Sequence, residues 1–124
     1  MDDALQIDSL VDLINRELNI NTPEDYIYFL EKYSKNEKYL SDIYFIDSSM
    51  FDYDKIPCVI GATKKFRDLN IIPKQNSMAI MNKDDIIYYL DTNDNSIHEI
   101  IDFSIDRNMN ISFAEWVNNI IGEL

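Results

Sequence analysis

Apolar residues Ile7, Leu10, Val11, Ile14 and Leu18 recur every three or four positions, which predicts a first amphipathic helix ending near Asn19. A polar break, Asn21-Thr22-Pro23-Glu24-Asp25, then predicts the start of a second helix. Thr22 can cap free amides, Pro23 suits a first turn whose amides lack partners, and the two acids favour the positive helix end. Tyr26, Phe29, Leu30 and Tyr33 continue the helical period until the polar run Ser34-Lys35-Asn36-Glu37-Lys38 ends it.

In the middle of the chain, Ile43-Tyr44-Phe45-Ile46 reads as a short strand, and Ser48 to Asp54 fits either a loop or a helical turn. Val59, Ala62, Thr63, Phe66 and Leu69 predict a third helix carrying Lys64, Lys65 and Arg67, stopped by Asn70 and Pro73. Met78–Met81 and Ile86–Leu90 flank Asn82-Lys83-Asp84-Asp85, the pattern of a β-hairpin with a four-residue loop. After the turn-rich segment Thr92–Ser96, a third strand is expected from Ile97 to Phe103, so the sheet is a meander. Ser112-Phe113-Ala114-Glu115 is a capping box, and Phe113, Trp116, Val117, Ile120, Ile121 and Leu124 form the stripe of a closing helix. These elements predict one α+β domain over 1–124, an antiparallel sheet packed against N-terminal, middle and C-terminal helices.

Composition narrows the function. In 124 residues, 46% are hydrophobic and 12% aromatic, enough to build a core without staples. Cys58 is the one cysteine, and the start Met-Asp-Asp-Ala-Leu lacks the basic and apolar stretches of a signal peptide, so a reducing, cytoplasmic location is expected. No apolar run approaches the roughly 20 residues that cross a bilayer. Twenty-three acidic against eleven basic side chains give a net charge of −12. A phosphate backbone would be repelled, so no direct nucleic-acid binding is expected, whereas a basic protein would be steered in. The same acidity also serves plain solubility.

The order of these pieces resembles the SUKH superfamily of bacterial immunity proteins and their cellular relatives. The resemblance rests on Leu18-Asn19-Ile20-Asn21-Thr22-Pro23-Glu24-Asp25-Tyr26-Ile27-Tyr28-Phe29-Leu30, on Tyr88-Tyr89-Leu90-Asp91-Thr92 and on Ser112-Phe113-Ala114-Glu115-Trp116-Val117, spanning roughly residues 7 to 124. Lys74-Gln75-Asn76-Ser77 stands where many relatives carry glycines and paired acids. The resemblance implies a protein made beside a secreted or contact-delivered toxin, which it binds and blocks. Many such toxins are nucleases, usually basic, and the charge of −12 agrees independently.

Signals for catalysis are sparse. His98 is the lone histidine, read as a surface or edge residue, with no second His or paired Cys to make a metal site or a nucleophile with its base. Cys58 sits between Pro57 and Val59, where a buried, inert thiol is expected, although Lys64 and Lys65 are near in sequence. Two glycines, Gly61 and Gly122, cannot build a phosphate loop. Asp91, Asn93, Asn95 and Asp102 occupy calcium-loop positions, but Ser96 replaces the required glycine and strands flank the segment, so a polar turn explains them. No cofactor or metal is expected.

Eight tyrosines suggest an interface, because Tyr joins apolar area to a hydroxyl. Tyr88 and Tyr89, adjacent on a strand, must point to opposite faces. The expected partner-binding residues are Asp52, Tyr53, Asp54, Asp84, Asp85 and Asp94 with whichever of Tyr88 and Tyr89 is exposed. The reading is a non-enzymatic immunity protein that neutralises a toxin stoichiometrically. Its runner-up is a regulatory or scaffold protein of the same fold without a toxin partner. A small hydrolase and a mimic of nucleic-acid charge stand behind both.

Overall fold

A computed structural model describes residues 3–33, 43–46, 54–55 and 58–121. Its elements are helices α1 (Asp3–Leu18), α2 (Glu24–Tyr33), α3 (Val59–Asp68) and α4 (Phe113–Ile121), with strands β1 (Ser77–Lys83), β2 (Ile86–Asp91), β3 (Ser96–Ile101) and β4 (Ile105–Ser112) between α3 and α4. The strands form one antiparallel meander in the order β1-β2-β3-β4. Helix α3 packs on β1, α1 on α2 and α3, and α4 on α2, β3 and β4.

The helices bury most of their predicted stripes, but Ile120 of α4, expected inside, is 42% exposed. Ile7, Leu10, Val11, Ile14 and Leu18 of α1 are buried, as are Tyr26, Phe29 and Leu30 of α2 and Val59, Ala62, Thr63 and Phe66 of α3. Leu69, expected to extend the α3 stripe, lies just past the helix and is 56% exposed. The Pro23 carbonyl accepts the amides of Tyr26 and Ile27 and so opens α2. The Thr22 hydroxyl donates to Asn15 Oδ1 at 2.6 Å, tying the α1–α2 loop back to α1. Arg67 does the same between layers, donating to the Leu18 carbonyl at 2.9 Å and the Ser77 carbonyl at 2.6 Å.

An aromatic centre joins α2 to α4. Phe113 lies 5.3 Å from Tyr26 and 5.6 Å from Phe29, edge-on to the latter. Trp116, 1% exposed, lies 5.8 Å from Phe113 and 5.6 Å from Tyr88 of the sheet. Tyr26 is fully buried; its hydroxyl donates to the Tyr44 carbonyl at 2.8 Å, and burial pushes its pKa up. Such a buried hydroxyl needs a partner to avoid a desolvation penalty. The Ser112 cap is present: its Oγ accepts the Glu115 amide at 3.2 Å.

The sheet departs from expectation in three ways. The β1–β2 connection has two residues, Asp84 and Asp85, both left-handed (φ 55° and 65°), the geometry that matches strand twist in a tight hairpin. Ile43 and Phe45 make isolated bridges to Met81 and Cys58 in place of a full strand, and the Tyr44 amide donates to the Ile80 carbonyl, so this segment flanks β1. The third strand stops at Ile101, and a fourth, β4, returns along it. β4 is an edge strand, mostly exposed, without the buried alternation that marks inner strands.

Nine described residues other than glycine have positive φ: Asn19, Asn70, Asn76, Asp84, Asp85, Asn95, Asp102, Phe103 and Asn110. Asn19 and Asn70 follow α1 and α3, where a left-handed residue closes a helix. Asn and Asp tolerate this region because their short polar side chains bond locally. In a chain with two glycines they take over glycine's work, and Phe103 is the exception.

Candidate protein-binding surface

The residues expected to meet a partner are spread over the molecule. Asp84 and Asp85 are exposed at the β1–β2 turn. Asp94 lies in the β2–β3 turn at the opposite end of the sheet, about 20 Å away along a six-residue strand. There the Ser96 hydroxyl and amide donate to Asp94 Oδ1 at 2.6 and 3.0 Å and hold its carboxyl below the usual range. Asp54 precedes α3 and accepts from Lys64 at 3.2 Å, while Lys64 also reaches Glu17 of α1 at 2.7 Å. Those contacts, that with Glu17 foremost, raise the Lys64 pKa. Asp52 and Tyr53 lie outside the described residues. Of the described acids expected at a partner surface, Asp84 and Asp85, consecutive in the chain, share one turn, Asp94 stands at the other end of the sheet, and Asp54 is engaged by Lys64.

Tyr88 and Tyr89 point to opposite faces. Tyr88 is half-buried against Trp116; burial and then the nearby Glu99 raise its pKa. Tyr89 is 2% exposed and donates to Asp106 Oδ2 at 2.6 Å. The partly exposed member of the pair is therefore Tyr88.

His98 is not the surface or edge residue expected, since it lies on the inner strand β3 and is largely covered. Its ring stacks on Tyr89 at 4.7 Å, Nδ1 lies 2.7 Å from Asp106 Oδ1, and Nε2 lies 3.1 Å from Ser96 Oγ. Register explains this, since Tyr89 faces His98 across β2–β3 and Asp106 sits on the neighbouring strand β4. Without β4 the sequence offered no base for the imidazole. Serine, histidine and aspartate in that order resemble a hydrolase relay, but here the Ser96 hydroxyl donates to Asp94 and the Ser96 amide is spent on the same carboxylate. No oxyanion donor stands beside it among the described contacts, and the group works as a clasp across β2, β3 and β4. On the other face, buried Glu99 pairs with exposed Arg107 across β3–β4.

Half-buried and exposed apolar side chains gather at the end of the sheet that carries Asp84 and Asp85. Ile86 pairs with Ile101, and Ile101 with Ile105, so three isoleucines form a row across β2, β3 and β4. Ile105 is 55% exposed, and Phe103, in the β3–β4 turn, is 56% exposed. A second feature is a groove of about 280 Å³ between α2 and α4, floored by Phe29, Phe113 and Val117 and rimmed by Asp25 and Lys32. Tyr28 stands exposed at that rim, with Lys32 Nζ 5.5 Å from its ring centre.

Among the described residues no helix is long and apolar enough to cross a membrane, and no cluster of three or more His, Cys, Asp or Glu could hold a metal. No curated protein matches the chain. A family model described as SMI1-KNR4 cell-wall, one of the SUKH models, matches residues 2–122. With four described helices packed with an antiparallel meander and a match over nearly its whole length, the chain belongs to the SMI1-KNR4 family of SUKH proteins.

Proposed function

We propose that the chain is an immunity-type protein that binds a cognate bacterial toxin and neutralises it by stoichiometric contact, without catalysis. The observation that carries this reading is a net charge of −12 on a SUKH-family fold, which suits a basic partner such as a nuclease domain. Binding such a domain where it would meet nucleic acid repels no charge on the toxin side and speeds encounter. The test is co-expression with the product of the adjacent gene. Rescue of growth with an equimolar complex is expected, and association should slow as salt rises, because exposed charges are screened beyond about 8 Å at physiological ionic strength. Neither rescue nor complex would remove the reading.

A second reading, a regulatory or scaffold protein with no toxin partner, has in its favour the cell-wall description of the matching family. A stable complex with a non-toxic protein, and no rescue from any neighbouring toxin, would select it.

A further inference from the structure

Phe103 is hard to explain by folding. Its φ of 59° belongs to the left-handed region, which bulky residues avoid at a cost in backbone strain and which the described residues elsewhere give to Asn and Asp. Its ring is 56% exposed, so burial does not repay that cost. The Ser104 amide donates to the Ile101 carbonyl at 3.2 Å, a tight turn that any polar left-handed residue would complete as well. Phe103 sits in the β3–β4 turn, two residues from Ile101 and two from Ile105, at the end of the sheet where Ile86, Ile101 and Ile105 pair in a row. Around this apolar centre stand Asp84, Asp85 and Asp102, all exposed. Two cations are close in sequence, Lys83 before the first turn and Arg107, whose charge is paired with Glu99.

An aromatic anchor with aliphatic neighbours inside a charged rim is the arrangement that concentrates binding energy at protein interfaces. We propose that this end of the sheet, built from the β1–β2 and β3–β4 turns, is the surface that grips the partner, with Phe103 as its anchor. The occupant is a basic protein face with an apolar depression for the ring. Charge selects it over the other candidates: a second copy would bring another −12 and a second acidic rim, and a nucleic acid would be repelled. The inference rests on the immunity reading and gives it a location that excludes Asp94 and Asp54.

The test uses the full chain and the product of the adjacent gene with its catalytic centre inactivated, measured by surface plasmon resonance. Phe103→Asn should leave the melting temperature unchanged or raise it, since Asn suits positive φ, while weakening Kd about 30-fold or more through faster dissociation. Asp84→Asn with Asp85→Asn keeps the turn geometry and should slow association about threefold to tenfold at low salt with little change in dissociation. Wild-type binding that both variants leave intact overturns this surface alone. Absence of wild-type binding overturns the immunity reading and the surface with it. A marked fall in melting temperature for Phe103→Asn would make the ring structural and overturn its role as an anchor. Concentration-dependent self-association lost in the same variant would assign the patch to a second copy and overturn the basic partner.

Discussion

The two ends of β4 treat aromatic residues in opposite ways. At its C-terminal end the strand runs into Ser112, whose hydroxyl caps α4, and the next turns bury Phe113 and Trp116 at 1% exposure each. At its N-terminal end the chain turns through Asp102, Phe103 and Ser104 and leaves Phe103 and Ile105 more than half exposed. One aromatic set obeys the rules that stabilise a fold: helical spacing, relaxed backbone, full burial. The other breaks each of them. Apolar residues that folding explains say little about function, whereas an apolar residue placed against local preference points to something outside the chain.

Truncation is the sharpest way to break this contrast. Trp116→Ala should cost about 3 to 5 kcal/mol in denaturant unfolding, from lost burial and a cavity between α4 and the sheet. Phe103→Ala should fall within about 0.5 kcal/mol of wild type, as exposed sites do. Equal losses at the two positions would end the distinction.

Near the N-terminal end of β4, on the face opposite Trp116, Tyr89 donates to Asp106, and Tyr89→Phe should cost about 1.5 to 3 kcal/mol near neutral pH, the range for a hydrogen bond to a charged acceptor. Burial, and then the Asp106 hydrogen bond, raise the Tyr89 pKa, so the folded state favours the neutral phenol. That stabilisation is complete below the unfolded value of about 10 and is lost as pH rises through the higher folded value. Stability should therefore fall above about pH 10. Tyr89→Phe should make the fall shallower without removing it, because burial also raises the pKa of Tyr26, Tyr44 and Tyr88. An unchanged alkaline slope in the variant would place the titration elsewhere. A smaller loss than at Trp116 or Tyr89 is expected at the cap, where Ser112→Ala should cost about 1 kcal/mol. A loss confined to α4 amide protection, with the β3–β4 turn unaffected, would keep the two ends independent, and a joint loss would couple them.

The helices and the first hairpin were legible in the sequence because each is a local pattern. Stripes at helical spacing, Pro23 with two acids, and Ser112 with Glu115 act within a few residues, and Asn19 and Asn70 end helices through their own backbone preference. Opposite faces for Tyr88 and Tyr89 also follow from strand period alone. β4 escaped because an edge strand is paired on one side and wetted on the other, so its letters carry no burial signature. With β4 went the clasp of Tyr89, His98 and Asp106, which depends on the register of three strands, and the partly exposed row at the sheet end, which depends on where β3 turns. The sequence by itself determined the α+β class, the acidic charge and the capped, aromatic helix ends, all short-range or summed quantities. Only the tertiary structure decided that Asp102 stands at the same end of the sheet as Asp84 and Asp85 and which aromatic is left outside, because both depend on how separate strands pair and where they turn.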